Sequence, residues 1–196
     1  MTARDPHRFI NELDNTAIER LITRLESRAK DAVFAQLLDK YIAKLELPTA
    51  NMVLEVGCGT GAVSRHLAQH SEFIGKAIGV DQCRPFIDTA NKLALDEAID
   101  EQVEFRLGDA HNLNFPPASF DVVIAHTLIS HVTEPEVVLR EMANVVRPGG
   151  SIVIFDGDYA SLTYSHPDHA FGYRMDTALA VATFNNPRVM RELPRV

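Results

Sequence analysis

Apolar residues recur along this chain with two different periods. Over residues 9–46 the spacing is helical: Ile18, Leu21, Ile22 and Leu25 share one face, and Val33, Phe34, Leu37, Leu38, Tyr41, Ile42 and Leu45 continue it. A break is predicted near residues 28–31, and Pro48 closes the region. From Met52 the period shortens. MVLEV (52–56) is a compact apolar run, AIGV (77–80) a second ending at Asp81, VEFRL (103–107) an alternating third, FDVVIAH (120–126) a fourth and SIVIF (151–155) a fifth. Helical patterns fall between them. AVSRHLAQH follows the first run, and a helix opens at Pro85 and runs to about Leu95. Thr133 and Glu136 have capping-box spacing for a helix over 134–146, which Arg147-Pro148-Gly149-Gly150 stops.

Strands alternating with helices predict βαβ units. The fold class is therefore α/β: a doubly wound, mostly parallel sheet with helices on both faces. Such sheets bind ligands at the carboxyl ends of their strands. Here those positions are Gly57, Asp81, Asp109, His126 and Asp156. Residues 49–156 form the expected ligand-binding core. Residues 1–48 are expected as a helical cap, and 157–196 as a helical C-terminal segment covering the second half of the pocket.

Composition narrows the function. A length of 196 residues suits one domain, and 46% apolar content suffices for a core. The net charge of −8 and pI near 5.4 argue against a groove built on nucleic-acid phosphates. Cys58 and Cys83 are too few for a disulfide framework or a cysteine-rich zinc site. The polar start MTARDPHRFINELDN lacks a signal-peptide core, and no apolar run is long enough to span a membrane. The expected setting is cytoplasmic.

The chemistry concentrates at the strand ends. Gly57, Gly59 and Gly61 are spaced G-x-G-x-G after the first strand, with Cys58 and Thr60 between them. The dinucleotide fingerprint is G-x-G-x-x-G, so the spacing differs. Glu55 would repel a phosphate at this loop but would favour an ammonium or sulfonium. Asp81 can accept hydrogen bonds from both ribose hydroxyls, or cap the helix that follows. Asp109 can accept from an adenine amino group while the Ala110 N–H donates to the adjacent ring nitrogen.

Taken together, VLEVGCGTG (53–61), GVD (79–81), GDA (108–110), FDVVIAH (120–126) and VRPGGSIVI (146–154) resemble the class I S-adenosylmethionine-dependent methyltransferases. The resemblance is to the group similar to the ubiquinone and menaquinone C-methyltransferases, and it covers roughly residues 50–156. It implies S-adenosyl-L-methionine as cofactor: the methionine end at Gly57, Cys58, Gly59, Thr60 and Gly61, the ribose on Asp81, and the adenine at Asp109 and Ala110 with Gln82 nearby. It further implies that Glu55 helps hold the amino group and that His126 lies against the cofactor. Methyl transfer is an in-line displacement that depends on positioning and on excluding water, with no metal expected. His66 and His70 lie four apart on one helix but have no evident third ligand and are expected on an exposed face. His111 is expected to make a local polar contact.

His131, His126 and Tyr159 are the candidate catalytic groups, with Asp158 also near the acceptor. His131 matches a histidine that recurs in similar methyltransferases, and a purely structural role weighs equally. Phe34 and Tyr41 are expected to line a partly hydrophobic small-molecule pocket for a quinone, phenol or secondary metabolite. The family sheet continues into a C-terminal strand hairpin, for which residues 157–196 hold no strand pattern. The fifth strand is then an uncovered edge, and the expectation is a fragment, or a sheet completed by a partner such as a second copy. The competing functions are a non-catalytic S-adenosylmethionine-binding protein and an NAD-dependent oxidoreductase.

Overall fold

The computed structural model describes residues 5–193. Five strands, β1 (Met52–Val56), β2 (Lys76–Asp81), β3 (Val103–Leu107), β4 (Phe120–His126) and β5 (Val146–Phe155), form one sheet in the order β3-β2-β1-β4-β5. Every pairing is parallel; Leu54, for example, sits opposite Ile78 on one side and Val123 on the other. Chain order reverses beside β1, which opens a crevice at the ends of β1 and β4.

Alternate strand residues feed two cores, as the period of two requires. Val53, Ala77, Val103, Val122 and Ile124 pack with helices α2 (Ala32–Ile42), α3 (Ala62–Ala68) and α4 (Arg84–Asp96). Leu54, Val56, Ile78, Val80, Val123 and Ala125 pack with Val138, Met142 and Val145 of α5 (Pro135–Val145) on the opposite face. Each fully buried aliphatic side chain of this kind contributes about 1.5–3 kcal/mol.

Helix α1 (Asn15–Ala29) starts where Asp14 accepts from the Ala17 N–H, and α2 starts where Asp31 accepts from the Val33 and Phe34 N–H groups. The predicted break thus falls between two capped helices. Within the segment expected as a cap, α2 gives Phe34, Leu38 and Ile42 to the main core. Helix α1 instead lies over the strand ends, where Ile18, Leu21, Ile22 and Leu25 join Ile10, Cys83 and Phe86 in a small separate cluster. After β5 come α6 (His169–Thr183), capped by Asp168, and the short α7 (Val189–Glu192), whose Val189 is buried in the second core.

Two local expectations are corrected. The Thr133–Glu136 capping box does not form: Glu134 is the residue preceding α5, without a side-chain cap, and Thr133 Oγ1 turns to His111 Nε2 at 3.3 Å. Pro135 at the first helical position starts the helix instead. Strand β5 begins at Val146, directly after α5, rather than at Ser151. Phe120 faces Val146 and Val122 faces Ser151, so residues 147–150 loop out as a bulge. Gly149, at φ +77°, supplies the left-handed backbone this needs. Among the described residues no strand pairs beyond β5, whose outer edge is open.

Candidate active site

The glycine turn after β1 carries three left-handed residues, at φ +71° for Gly57, +55° for Gly59 and +79° for Gly61. Shape as well as conformation demands glycine. A Cβ on Gly57 would lie 2.5 Å from Leu128 Cδ1, and one on Gly61 would lie 2.4 Å from the Phe105 ring. The Gly57 and Cys58 N–H groups donate to the Val80 carbonyl, which folds the turn against β2. Asp81 completes this: its carboxylate accepts from the Gly59 N–H and the Cys83 N–H, each at 2.9 Å. Burial pushes the Asp81 carboxyl up, with those N–H groups opposing the rise. Asp81 therefore ties the glycine turn to the start of α4 as well as facing the crevice.

Glu55 points to the α2–α3–α4 side and is almost wholly buried. Its Oε2 accepts from the Ser64 N–H at 2.9 Å and the Ser64 hydroxyl at 2.5 Å. Burial raises its carboxyl to about 7, with the Ser64 hydrogen bonds pulling the other way. Burial also pushes the Cys58 thiol well up, so it is not a thiolate. Thr60 is buried, and its Oγ1 has no partner among the described residues.

These groups open onto a cavity of about 460 Å³. Glu55, Gly57, Cys58, Gly59, Thr60, Asp81, Gln82, Asp109, Ala110 and His126 all line it; Gly61 does not and serves the turn. Asp109 is at the rim with its side chain 61% exposed, accepting from the His111 N–H at 2.9 Å and facing His111 Nδ1 at 2.8 Å. His111 makes the expected local contacts and also lines the cavity.

The three candidate catalytic groups separate clearly. His126 is buried, stacked on Phe155 at 4.6 Å and 3.2 Å from the Tyr41 hydroxyl through Nδ1. Burial, reinforced by Arg28, lowers it to about 3, so it is neutral and weakly basic at physiological pH. Tyr159 is raised to about 12 by burial and by Asp156, which keeps its proton; its ring stacks on Phe184 at 3.4 Å. His131 lines the cavity and places Nδ1 2.8 Å from Asp5 Oδ2, with the Asp5 side chain only 5% exposed. That geometry holds Nδ1–H toward the carboxylate and leaves Nε2 as the available ring nitrogen.

Other expectations are adjusted. Phe34 lines the cavity, but Tyr41 does not; it supports His126. Asp158 accepts from Arg191 Nε at 2.7 Å and is not a lining residue. His66 is not simply solvated: its Nε2 meets Asp39 Oδ1 at 2.7 Å, while His70 Nδ1 accepts from the Glu72 N–H. Among the described residues no cluster of His, Cys, Asp and Glu has the arrangement of a metal site. No helix among them is long and apolar enough to cross a membrane.

Sequence reasoning missed several groups. Asp5, His7, Arg8, Arg24, Arg28 and Phe184 reach the cavity or its histidine only through the folding back of both chain ends. The Arg24–Arg28 spacing on one face of α1 was the signal available for two of them. Arg65 is buried on α3 without any pattern in the sequence to signal it. Its Nε donates to the Thr60 carbonyl, its Nη2 to both Glu26 oxygens at 2.9 Å and its Nη1 to Glu97.

Left-handed glycines, a buried hydroxyl without a partner among the described residues, and carboxylates at three successive strand ends thus meet at one cavity. Comparison with known proteins gives the family. The family model described as "Methyltransferase domain" matches residues 54–154, which is just over half of the chain. The chain belongs to the class I S-adenosylmethionine-dependent methyltransferases. It is 30% identical over 131 residues to the 27-O-demethylrifamycin SV methyltransferase of Amycolatopsis mediterranei, covering 67% of this chain and 47% of that protein. It is 28% identical over 117 residues to the demethylmenaquinone methyltransferase of Lactobacillus johnsonii, covering 60% and 48%. A solved structure from Methanococcus maripaludis superposes with a TM-score of 0.66 at 19% identity, over 74% of this chain and 64% of that one, which supports the fold. The chain spans about half the length of the curated relatives it matches.

Proposed function

We propose that this chain binds S-adenosylmethionine along Glu55, the glycine turn, Asp81 and Asp109, and transfers its methyl group to a small-molecule acceptor in the same cavity. The observation that carries the reading is that one cavity joins the strand-end carboxylates to the His131–Asp5 pair. The buried Thr60 hydroxyl and the Gly57 and Gly59 cradle suit the methionine end; Asp81 and Asp109 suit the ribose and adenine. S-adenosylmethionine supplies the electrophilic methyl carbon when bound.

His131 Nε2 takes the proton of an acceptor O–H or N–H, and Asp5, a positioning residue, fixes the ring and its tautomer through Nδ1. Tyr159 stays protonated and donates a hydrogen bond. The walls from Phe34, Leu21, Leu25 and Phe184 exclude water and suit an acceptor that is partly apolar. The relatives support a small-molecule acceptor, since their names specify a rifamycin derivative and a demethylmenaquinone. We assign the open β5 edge to pairing with a second copy, and the setting to the cytoplasm.

The test is transfer of labelled methyl from S-adenosylmethionine to a panel of phenols, quinols and amines. Asp5→Asn should lower kcat on an O–H acceptor by about 100-fold or more, by releasing the productive tautomer. The KM for the cofactor should stay within about twofold, because Asp5 faces His131 and not the strand ends. An Asp5→Asn enzyme with unchanged kcat would remove His131 from the role of base.

A further inference from the structure

The charges around the cavity are segregated. Its carboxylates, Glu55, Asp81 and Asp109, all stand at strand ends, whereas its arginines, Arg8, Arg24 and Arg28, come from the N-terminal segment and α1. Arg24 and Arg28 lie one turn apart on α1, so their side chains share a face. Both keep accessible surface, and both line the cavity. Among the described residues neither has a carboxylate within ion-pair distance; the Arg28 guanidinium lies 5.1 Å from the Phe34 ring. Elsewhere this acidic chain supplies its arginines freely, pairing Arg65 with Glu26 and Glu97, Arg106 with Glu104, Arg147 with Asp121 and Arg191 with Asp158. Two neighbouring cations on one face repel each other; burial and Arg24 lower the pKa of Arg28, while Tyr159, Glu55 and Asp156 pull it back up.

The same two arginines lie in one electrostatic neighbourhood with His7 and Tyr159. Arg28 also feels Glu55 and Asp156, and it acts on His126. His7 in turn packs against His131 at 4.7 Å. The arginine pair therefore shares its cavity with the proposed base, His131, against which His7 packs.

We propose that the methyl acceptor is an acid, and that Arg24 and Arg28 hold its oxyanion group, a carboxylate or phosphate, while its methylated atom faces His131. This rests on the methyltransferase reading. The guanidiniums are the residues suited to paired hydrogen bonds with such a group, and the bound anion would remove the repulsion between them.

The experiment is calorimetric. The protein is first titrated with S-adenosylhomocysteine; failure at this stage would bring down the cofactor reading and is seen separately. The complex is then titrated with 4-hydroxybenzoate against its methyl ester, and with phenyl phosphate against phenol. The acids should bind at least about tenfold tighter than their neutral counterparts. Arg24→Gln, on an exposed side chain with no ion pair among the described residues, should abolish that discrimination, Arg24→Lys should restore part of it, and S-adenosylhomocysteine affinity should stay within about twofold. Equal binding of acids and neutral forms, or no binding of either acid at millimolar concentration, would overturn the proposal. So would an Arg24→Gln variant that loses S-adenosylhomocysteine as strongly as the acids, which would give the pair to the cofactor's own carboxylate.

Discussion

Glu55 shows what single residues can and cannot reveal before folding. Its place ahead of the glycines, and the argument that a carboxylate there disfavours phosphate, are read directly from VLEVGCG. Its bonds to Ser64 and its raised pKa depend on burial that only the packed α3 creates. The sign of the consequence is definite. A carboxyl held near 7 is costly when ionised, so the ligand-free protein gains stability from this group as pH falls through 7 toward the ordinary carboxylate value, and loses it above. A ligand ammonium reverses the preference by stabilising the carboxylate. Binding of S-adenosylmethionine should therefore release about half a proton from Glu55 at pH 7, a release that fades as pH rises and gives way to proton uptake by the ligand's amino group above about pH 8. Calorimetry in buffers of different ionisation enthalpy measures this directly. In Glu55→Gln the release should vanish, with affinity lower by about tenfold or more; proton release that persists in this variant would show that another group is linked to the ligand.

At the scale of elements, β1 to β4 and helices α2 to α5 were legible because each carries its own period and stop signals. The exceptions have local physical causes. Proline at the first helical position started α5 without the capping box, and a bulge let β5 begin before its proline and glycines. The placement of α1 was not legible, because its apolar stripe says that it packs but not on what. Arg65 supplies that information: from α3 it reaches Glu26 on α1, Glu97 after α4 and the Thr60 carbonyl in the glycine turn. Its side chain is 8% exposed, so removing it leaves carboxylates with much of their hydration lost. Arg65→Ala should destabilise by about 3 kcal/mol in urea unfolding. Arg106→Ala, which breaks an exposed pair with Glu104, should cost less than about 1 kcal/mol. Equal effects from the two would mean that Arg65 does not anchor α1.

For the whole molecule, the cofactor half of the site was readable from local motifs and the acceptor half was not. The second half is made by contacts between distant parts of the chain. Asp5 reaches His131, Arg8 reaches Asn185, and the Asn185 and Asn186 side chains both donate to the Val132 carbonyl. No periodicity encodes pairings of that separation. They do join the two chain ends into one wall over the strand ends, so a ligand that fills the cavity touches α1, the β4 loop and Phe184 together. Ligand binding should then stabilise the molecule as a unit. At a hundredfold excess over Kd, S-adenosylhomocysteine contributes about 2.7 kcal/mol, and at about 2–4 °C per kcal/mol for a chain of this size Tm should rise by about 5–11 °C. Asp81→Ala should lose most of that rise. Hydrogen exchange gives the sharper reading. Amides of residues 15–29 and 127–133 should slow together with those of the glycine turn, since the same cavity lies against all three. Slowing confined to residues 53–61 and 81–110 would mean that the two chain ends cover the ligand without contacting it, and the acceptor wall would then have to be sought elsewhere.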